Sequence, residues 1–269
     1  MVLLLLVLAL MLMPVPALAG AWLRPPGEAL ISTRYVYYQA SNYYNPDGTR
    51  TSQPTFRKNE LNLYGEYGAT ENWTIGTNLF LDYVTQSGVD NIGLADPEFF
   101  ARTEMYSSDT SKLSLQPLIK LPSWYEQRTP PKSGSDATDA ELMLLYGRNL
   151  PALSARDYLD IGAGYRFRGS GLNNQYRAYA AYGLHVWERL SLVPALYMTL
   201  AEHIPEDQFF QQNGEQDYDL GKLDITAFYA LDDGNSLYVS YGNEFYGLNT
   251  GAGQSFSLGM LRKFDASSW

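Results

Sequence analysis

Hydrophobic and polar side chains trade places with a period of two along most of this chain. The clearest stretch runs from Trp73 to Val84. Trp73, Ile75, Thr77, Leu79, Leu81 and Tyr83 fall on one face, while Thr74, Gly76, Asn78, Phe80, Asp82 and Val84 fall on the other. Successive side chains of a strand point to opposite faces, whereas a helix would scatter these residues around its axis. The alternation recurs at Ile31–Tyr37, Leu61–Tyr67, Phe99–Tyr106, Leu113–Leu121, Glu141–Tyr146, Leu159–Arg168, Tyr176–His185, Leu190–Leu200, Lys222–Leu231, Leu237–Tyr246 and Ser255–Met260. That makes about twelve strands of membrane-spanning length, apolar outward and polar inward. A bilayer offers no water to an open sheet edge, so such strands must close on themselves. The pattern predicts an all-β fold, a closed antiparallel transmembrane β-barrel of about twelve strands.

One segment departs from that period. Met1 to Ala19 is an apolar run ending in Ala17-Leu18-Ala19, with small residues at the two positions a leader peptidase reads. Pro14 and Pro16 break the run before that site, which disfavours a membrane-anchoring helix. The run carries no Lys or Arg; the first basic residue is Arg24. The expectation is a signal peptide over residues 1–19, cleaved after Ala19, and a barrel over residues 20–269.

The connectors alternate in length. Short turns are expected at Ala69–Asn72, Ser107–Ser111, Trp187–Arg189 and Asp232–Asn235, and a longer one at Asn149–Asp157. Long loops are expected at Ser41–Phe56, Thr85–Asp96, Pro122–Asp136 and Glu202–Asp219, with shorter ones near Ser170 and over Gly247–Gln254. Short turns face the periplasm in such barrels and long loops face outside, so an even strand number puts both chain ends in the periplasm. Pro117 and Pro194 fall inside strands and are expected to mark bulges, because a closed barrel has no edge to hide a missing N–H. Arg262 has the lipid-facing parity, affordable only near the rim.

Composition adds the interfaces and narrows the partners. The chain has 22 Tyr, 11 Phe and 5 Trp, a formal net charge of −10 and no cysteine. Trp73, Tyr158, Trp187, Tyr229 and Phe264 are expected to form a periplasmic aromatic girdle, and Tyr37, Tyr83, Tyr165 and Phe167 an outer one. Acidity argues against nucleic acid as a partner. Lipid is the expected surroundings of the outward face. The inward parity carries Arg34, Glu66, Asp82, Arg102, Glu104, Lys120, Glu141, Asp160, Arg166, Arg168, Arg177, Lys222, Asp224 and Glu244. Charge inside a membrane protein must be solvated or paired, so these residues are the candidate pore lining. Two readings stay open. Arg166, Arg168 and Arg177 could form a basic cluster that attracts solute, or Glu141 and Asp160 could pair with those arginines, and Asp82 with Arg102, in a structural plug.

Other chemistry is poorly served. The acidic loop with Glu206, Asp207, Glu215, Asp217 and Asp219 lacks the spacing and glycine of a calcium loop. The two histidines, His185 and His203, have no nucleophile motif around them. No cofactor, metal or catalytic residue is expected. A barrel with a blocked lumen, structural or adhesive, and an outer-membrane hydrolase remain the alternatives.

Two resemblances extend the reading. Phe256, Leu258, Met260 and Phe264 resemble the C-terminal signal that outer-membrane proteins present to the barrel-assembly machinery, which makes residues 255–264 its expected contact; the tail Asp265–Trp269 departs from the pattern. Between Ile92 and Leu200 the chain carries Gly93-Leu94-Ala95-Asp96, Leu121-Pro122, Ser133-Gly134-Ser135-Asp136, Glu141-Leu142-Met143-Leu144, Asp160 to Arg168 and Asn174-Gln175-Tyr176-Arg177, in that order. The order is similar to the outer-membrane family named for the meta-pathway of phenol degradation, whose members are regarded as transporters; Ala95 stands where that family more often has glycine. The resemblance implies a bacterial outer-membrane channel for passive uptake of small organic molecules.

Overall fold

The structure is a computed structural model of the chain, and residues 20–122, 131–132, 134, 137–150, 155–204 and 217–265 are described. The expected leader, and Glu206, Asp207 and Glu215 of the acidic loop, lie outside the described residues. Those residues contain thirteen strands: β1 (Glu28–Tyr44), β2 (Arg50–Thr70), β3 (Trp73–Gln86), β4 (Val89–Leu94), β5 (Glu98–Ser107), β6 (Ser111–Lys120), β7 (Asp139–Asn149), β8 (Tyr158–Phe167), β9 (Gln175–His185), β10 (Leu190–Ala201), β11 (Asp219–Ala230), β12 (Asn235–Leu248) and β13 (Thr250–Asp265). Every pairing is antiparallel between neighbours, and β1 pairs with both β2 and β13, so the sheet closes. The lower half of β3 pairs with β5 and its upper half with β4. Those two strands share one place in the wall, so thirteen strands build a twelve-strand barrel.

The exterior is a lipid surface. Ile31, Leu61, Ile75, Leu142, Ile225 and Leu258 all point outward and are exposed. Their strand neighbours Ser32, Asn62, Thr74, Glu141, Asp224 and Ser257 turn inward and are less accessible. An apolar belt of this extent would be untenable in water and is the outward face that lipid requires. Trp73, Trp187 and Tyr229 are exposed at the short-turn end, and Tyr83 and Phe167 at the opposite end. Tyr158 corrects the girdle expectation: it is 8% exposed and packs inside, its ring over Gly183 of the paired strand.

The connectors differ most from the sequence reading. Ser41–Phe56 is not a loop but the tip of a tall hairpin, with a turn only at Asn45–Thr49 and a register shift between Ala40 and Asn42. Most of Thr85–Asp96 is likewise strand, up to Leu94, turned at Ser87-Gly88, both of which have positive φ as a tight hairpin turn demands. Gly247–Gln254 turns at Asn249, also at positive φ. Above the membrane both faces of a strand meet water, so alternation fades while the ladder continues. Another register shift, between Glu104 and Tyr106, swings Tyr106 to the exterior at the end of β5.

The prolines are not bulges. Pro117 pairs with Leu142 and Pro194 with Ile225 in unbroken register. On the other side of each strand the pairing lapses, between Phe100–Leu118 and Thr103–Leu115 for the first and between Leu192–Leu184 and Ala195–Ala181 for the second, and the register resumes unchanged. Proline deletes a ladder bond without inserting a residue.

Turn chemistry gives one testable point at the short-turn end. The Asp232 carboxylate accepts the Gly234 and Asn235 backbone N–H groups at 2.9 and 2.8 Å. The Gly234 amide, then the Asn235 side chain, hold its pKa below the ordinary 3.8. A lowered native pKa means stability that is complete above the unfolded value and disappears as pH falls through the native one. Asp232→Asn should therefore melt slightly below the parent at neutral pH, and the gap should close as the pH drops below 3.8. A gap that stays constant with pH would remove the carboxylate from the account.

Candidate functional site

The interior is built from three parts: a strap, a set of ion pairs, and the space they leave. The strap is residues 20–26, which enter the barrel ahead of β1 instead of lying outside it. Ala21 is fully buried and Arg24 is 2% exposed. Barrel-wall side chains hold its backbone: Ser114 Oγ donates to the Ala21 carbonyl at 2.5 Å, Arg102 to the Trp22 carbonyl at 3.1 Å, and the Arg24 N–H donates to Thr74 Oγ1 at 2.8 Å. The Trp22 indole meets Tyr158 edge-on, with centroids 6.0 Å apart, and covers Gly147, where a Cβ would strike the ring. Ala21 also packs with Met143 and Leu145. The strap thus runs from the β6–β8 wall to the β1–β3 wall near the short-turn rim. Leu30, Tyr238 and Leu261 form a buried cluster on the side of β1, β12 and β13.

The ion pairs are dense. Glu66 sits between Arg24, 2.7 Å away, and Arg102, 2.9 Å away, and also accepts from the Tyr64 hydroxyl at 2.5 Å. Glu141 binds Arg166 at 2.8 Å and Arg177 at 2.9 Å, and Arg166 reaches Glu98 at 2.9 Å. Lys120 bridges Asp96 and Asp139 at 3.0 and 2.9 Å. Lys58 joins Glu60 at 2.6 Å and Asp82 at 3.7 Å. Lys222 meets Asp224 at 3.3 Å, Lys112 meets Glu104 at 2.8 Å, and Arg168 lies 3.5 Å from Asp217. Glu244 accepts from Tyr38 at 2.7 Å and from the Gly253 N–H at 2.8 Å.

All fourteen residues picked out by inward parity are buried or partly buried, none exposed. Glu141 pairs with Arg166 and Arg177 as one of the two sequence readings drew it, and the other pairings differ. Arg166, Arg168 and Arg177 do not form an unopposed basic cluster, since carboxylates meet each of them. Arg102 pairs with Glu66 and not Asp82, whose partner is Lys58. Asp160 has no basic side chain within 4.0 Å among the described residues and instead accepts from the Tyr179 hydroxyl at 3.1 Å. Glu104 sits near the rim. Of the histidines, His185 ends β9 with its ring 3.6 Å from Asp157, and His203 is exposed above β10.

Sequence reasoning missed Lys58, Glu60, Glu98, Asp139 and Arg24. Lys58 and Glu60 share the parity of Glu66, and Glu98 that of Arg102, so extending those strands by a few residues would have found them. Arg24 precedes any alternation, and nothing in the pattern places it inside.

The remaining space among the described residues includes two cavities. The inner one, about 320 Å³, is lined by Tyr64, Phe100, Tyr158, Tyr179, Tyr197 and Phe228, with Gly20 of the strap at its boundary. The outer one, about 490 Å³, is polar, with Arg34, Lys58, Lys132 and Lys222 facing Glu60 and Glu244. Asp224 lines both. Tyr197 lines the inner cavity from β10, and 44% of its surface is accessible there.

No family model matches the chain, and no curated protein does. Solved structures do. The COG4313 outer membrane channel from Pseudomonas putida F1 superposes with a TM-score of 0.74 at 17% identity, over 93% of this chain and 100% of that one. The NanC porin aligns at 0.55 and 10% identity over 87% of this chain and 100% of its own. The KdgM porin, solved in complex with disordered oligogalacturonate, aligns at 0.52 and 11% identity over 87% of this chain and 99% of its own. At these identities the likeness is one of fold, and the fold shared is that of the outer-membrane channel and porin barrels.

Proposed function

We propose that the protein is a bacterial outer-membrane channel through which small organic molecules diffuse down their gradient. The observation that carries this is a pair of cavities inside the barrel that share Asp224 in their lining, with Tyr197 accessible in the inner one. Each volume suits a small solute, and ligand spaces start at about 300 Å³. The outer cavity offers charge of both signs and the inner one aromatic faces, which favours polar organic solutes over bare ions. Barrels of this fold include channels and a porin crystallised with a sugar acid polymer, and the motif order of residues 92–200 supports placing the chain with the phenol meta-pathway family. Leader removal after Ala19, export, and insertion by the barrel-assembly machinery through residues 255–264 complete the reading, with no cofactor.

Liposome swelling tests it. Vesicles holding the protein should swell in small sugars and small aromatic alcohols and acids, faster than empty vesicles. A folded barrel that leaves vesicles no more permeable than lipid alone would favour the plugged, structural reading.

Charge selection should rest on the accessible cations. The Arg177 and Lys222 side chains are 35% and 32% exposed, and Glu141 keeps Arg166 when Arg177 is lost. Arg177→Gln with Lys222→Gln should move the reversal potential in a KCl gradient toward cation preference, about twofold in permeability ratio. No movement would mean that ions pass these side chains without sensing them.

A further inference from the structure

We propose that Asp160 is the receptor for the chain's own α-ammonium group at Gly20, so that leader removal supplies the charge that pins the strap inside the barrel. The inference rests on the reading that cleavage falls after Ala19.

The first observation is an imbalance. Among the described residues eight acidic ones are buried: Glu60, Glu66, Asp82, Asp139, Glu141, Asp157, Asp160 and Asp217. Seven of them have a Lys, Arg or His nitrogen within 4.0 Å. Asp160, 4% exposed, has none among the described residues. A carboxylate taken out of water without a countercharge in contact is costly; the Tyr179 hydroxyl and Ala21 backbone N–H that reach it are neutral, and the Arg102 guanidinium acts on it only from beyond 4.0 Å.

The second observation is what stands beside it. A Cβ on Gly20 would lie 2.6 Å from the Asp160 carboxylate carbon and 2.7 Å from one of its oxygens. No side chain fits there, and Gly20 also has φ +127°, which L side chains rarely adopt. The Gly20 nitrogen shares that α-carbon, one tetrahedral span from the blocked position. In the precursor that nitrogen is a neutral amide. Hydrolysis adds water across the Ala19–Gly20 bond, leaving a carboxylate on Ala19 and an amine on Gly20 that is mostly protonated at neutral pH. The cation missing from the lumen is created at the residue that touches the unpaired carboxylate.

The mature chain therefore docks its strap with an ion pair at each end, Gly20 to Asp160 and Arg24 to Glu66. The precursor can form only the second, which ties completion of the lumen to processing.

The test has two stages. Intact mass and N-terminal sequencing of protein purified from membranes should give Gly20 as the first residue; any other start overturns the cleavage reading and the inference with it. Given that start, the α-amine of the folded protein is labelled with 2-pyridinecarboxaldehyde, with gel mobility before and after heating confirming the fold. The parent should label about tenfold or more slowly than Asp160→Asn, because reaction must wait for local opening. A variant with one serine inserted between Ala19 and Gly20 keeps Asp160 and moves the ammonium away; it should label as fast as Asp160→Asn. If all three folded proteins start where expected and label at one rate, the pairing is wrong while the cleavage reading stands.

Discussion

Glu66→Ala should cost the barrel about 3–5 kcal/mol, the range for breaking a buried ion pair from one side. Its side chain is wholly inaccessible and lies between the guanidinium groups of Arg24 and Arg102. Alanine would leave two buried cations facing each other, strip the Tyr64 hydroxyl of its acceptor, and cut the strap from β2. Unfolding in urea, followed by the heat-dependent shift in gel mobility, measures the loss. Glu66→Gln keeps the shape and one acceptor oxygen but not the charge, so it should fall between parent and alanine. A loss under about 1 kcal/mol, the worth of an exposed pair, would mean that water solvates this network and that the strap is held by something else.

Ala181→Trp combined with Ala195→Trp should reduce single-channel conductance several-fold without unfolding the barrel. The two alanines face each other across β9 and β10 and both line the inner cavity of about 320 Å³. Two indoles there would take up most of that space, while the lipid face and the ladder remain as they are. Aromatic rings placed there meet compatible neighbours in the lining, Tyr179 and Val193 among them. Conductance unchanged in a folded double variant would show that current bypasses this cavity and that the proposed path is misplaced.

The barrel was legible because lipid enforces the pattern. Ile75, Leu79 and Leu81 need hydrocarbon and Thr74, Asn78 and Asp82 need shelter, so parity alone gave the strands, the closure and the inward charges. Where lipid is absent the signal fades, and the tall hairpins at Asn45–Thr49 and Ser87-Gly88 read as loops. Parity tells which side of a wall a residue occupies, not what stands opposite, so it puts Glu66 on the inward face but does not give its pairing with Arg24 and Arg102. Inward apolar residues escaped for a related reason. Leu30, Tyr238 and Leu261 break the polar-in rule because they pack on one another, and Tyr158 and Tyr179 lie over Gly183 and Gly162 of the paired strand. The strap left no trace in the period because it is not a strand.

The measurement closest to the central claim is current through the purified mature protein in a planar bilayer. Stepwise openings should be seen, smaller in the double tryptophan variant than in the parent. Protein inserted in its heat-shiftable, folded form that passes no current above the leak of bare lipid would contradict the account.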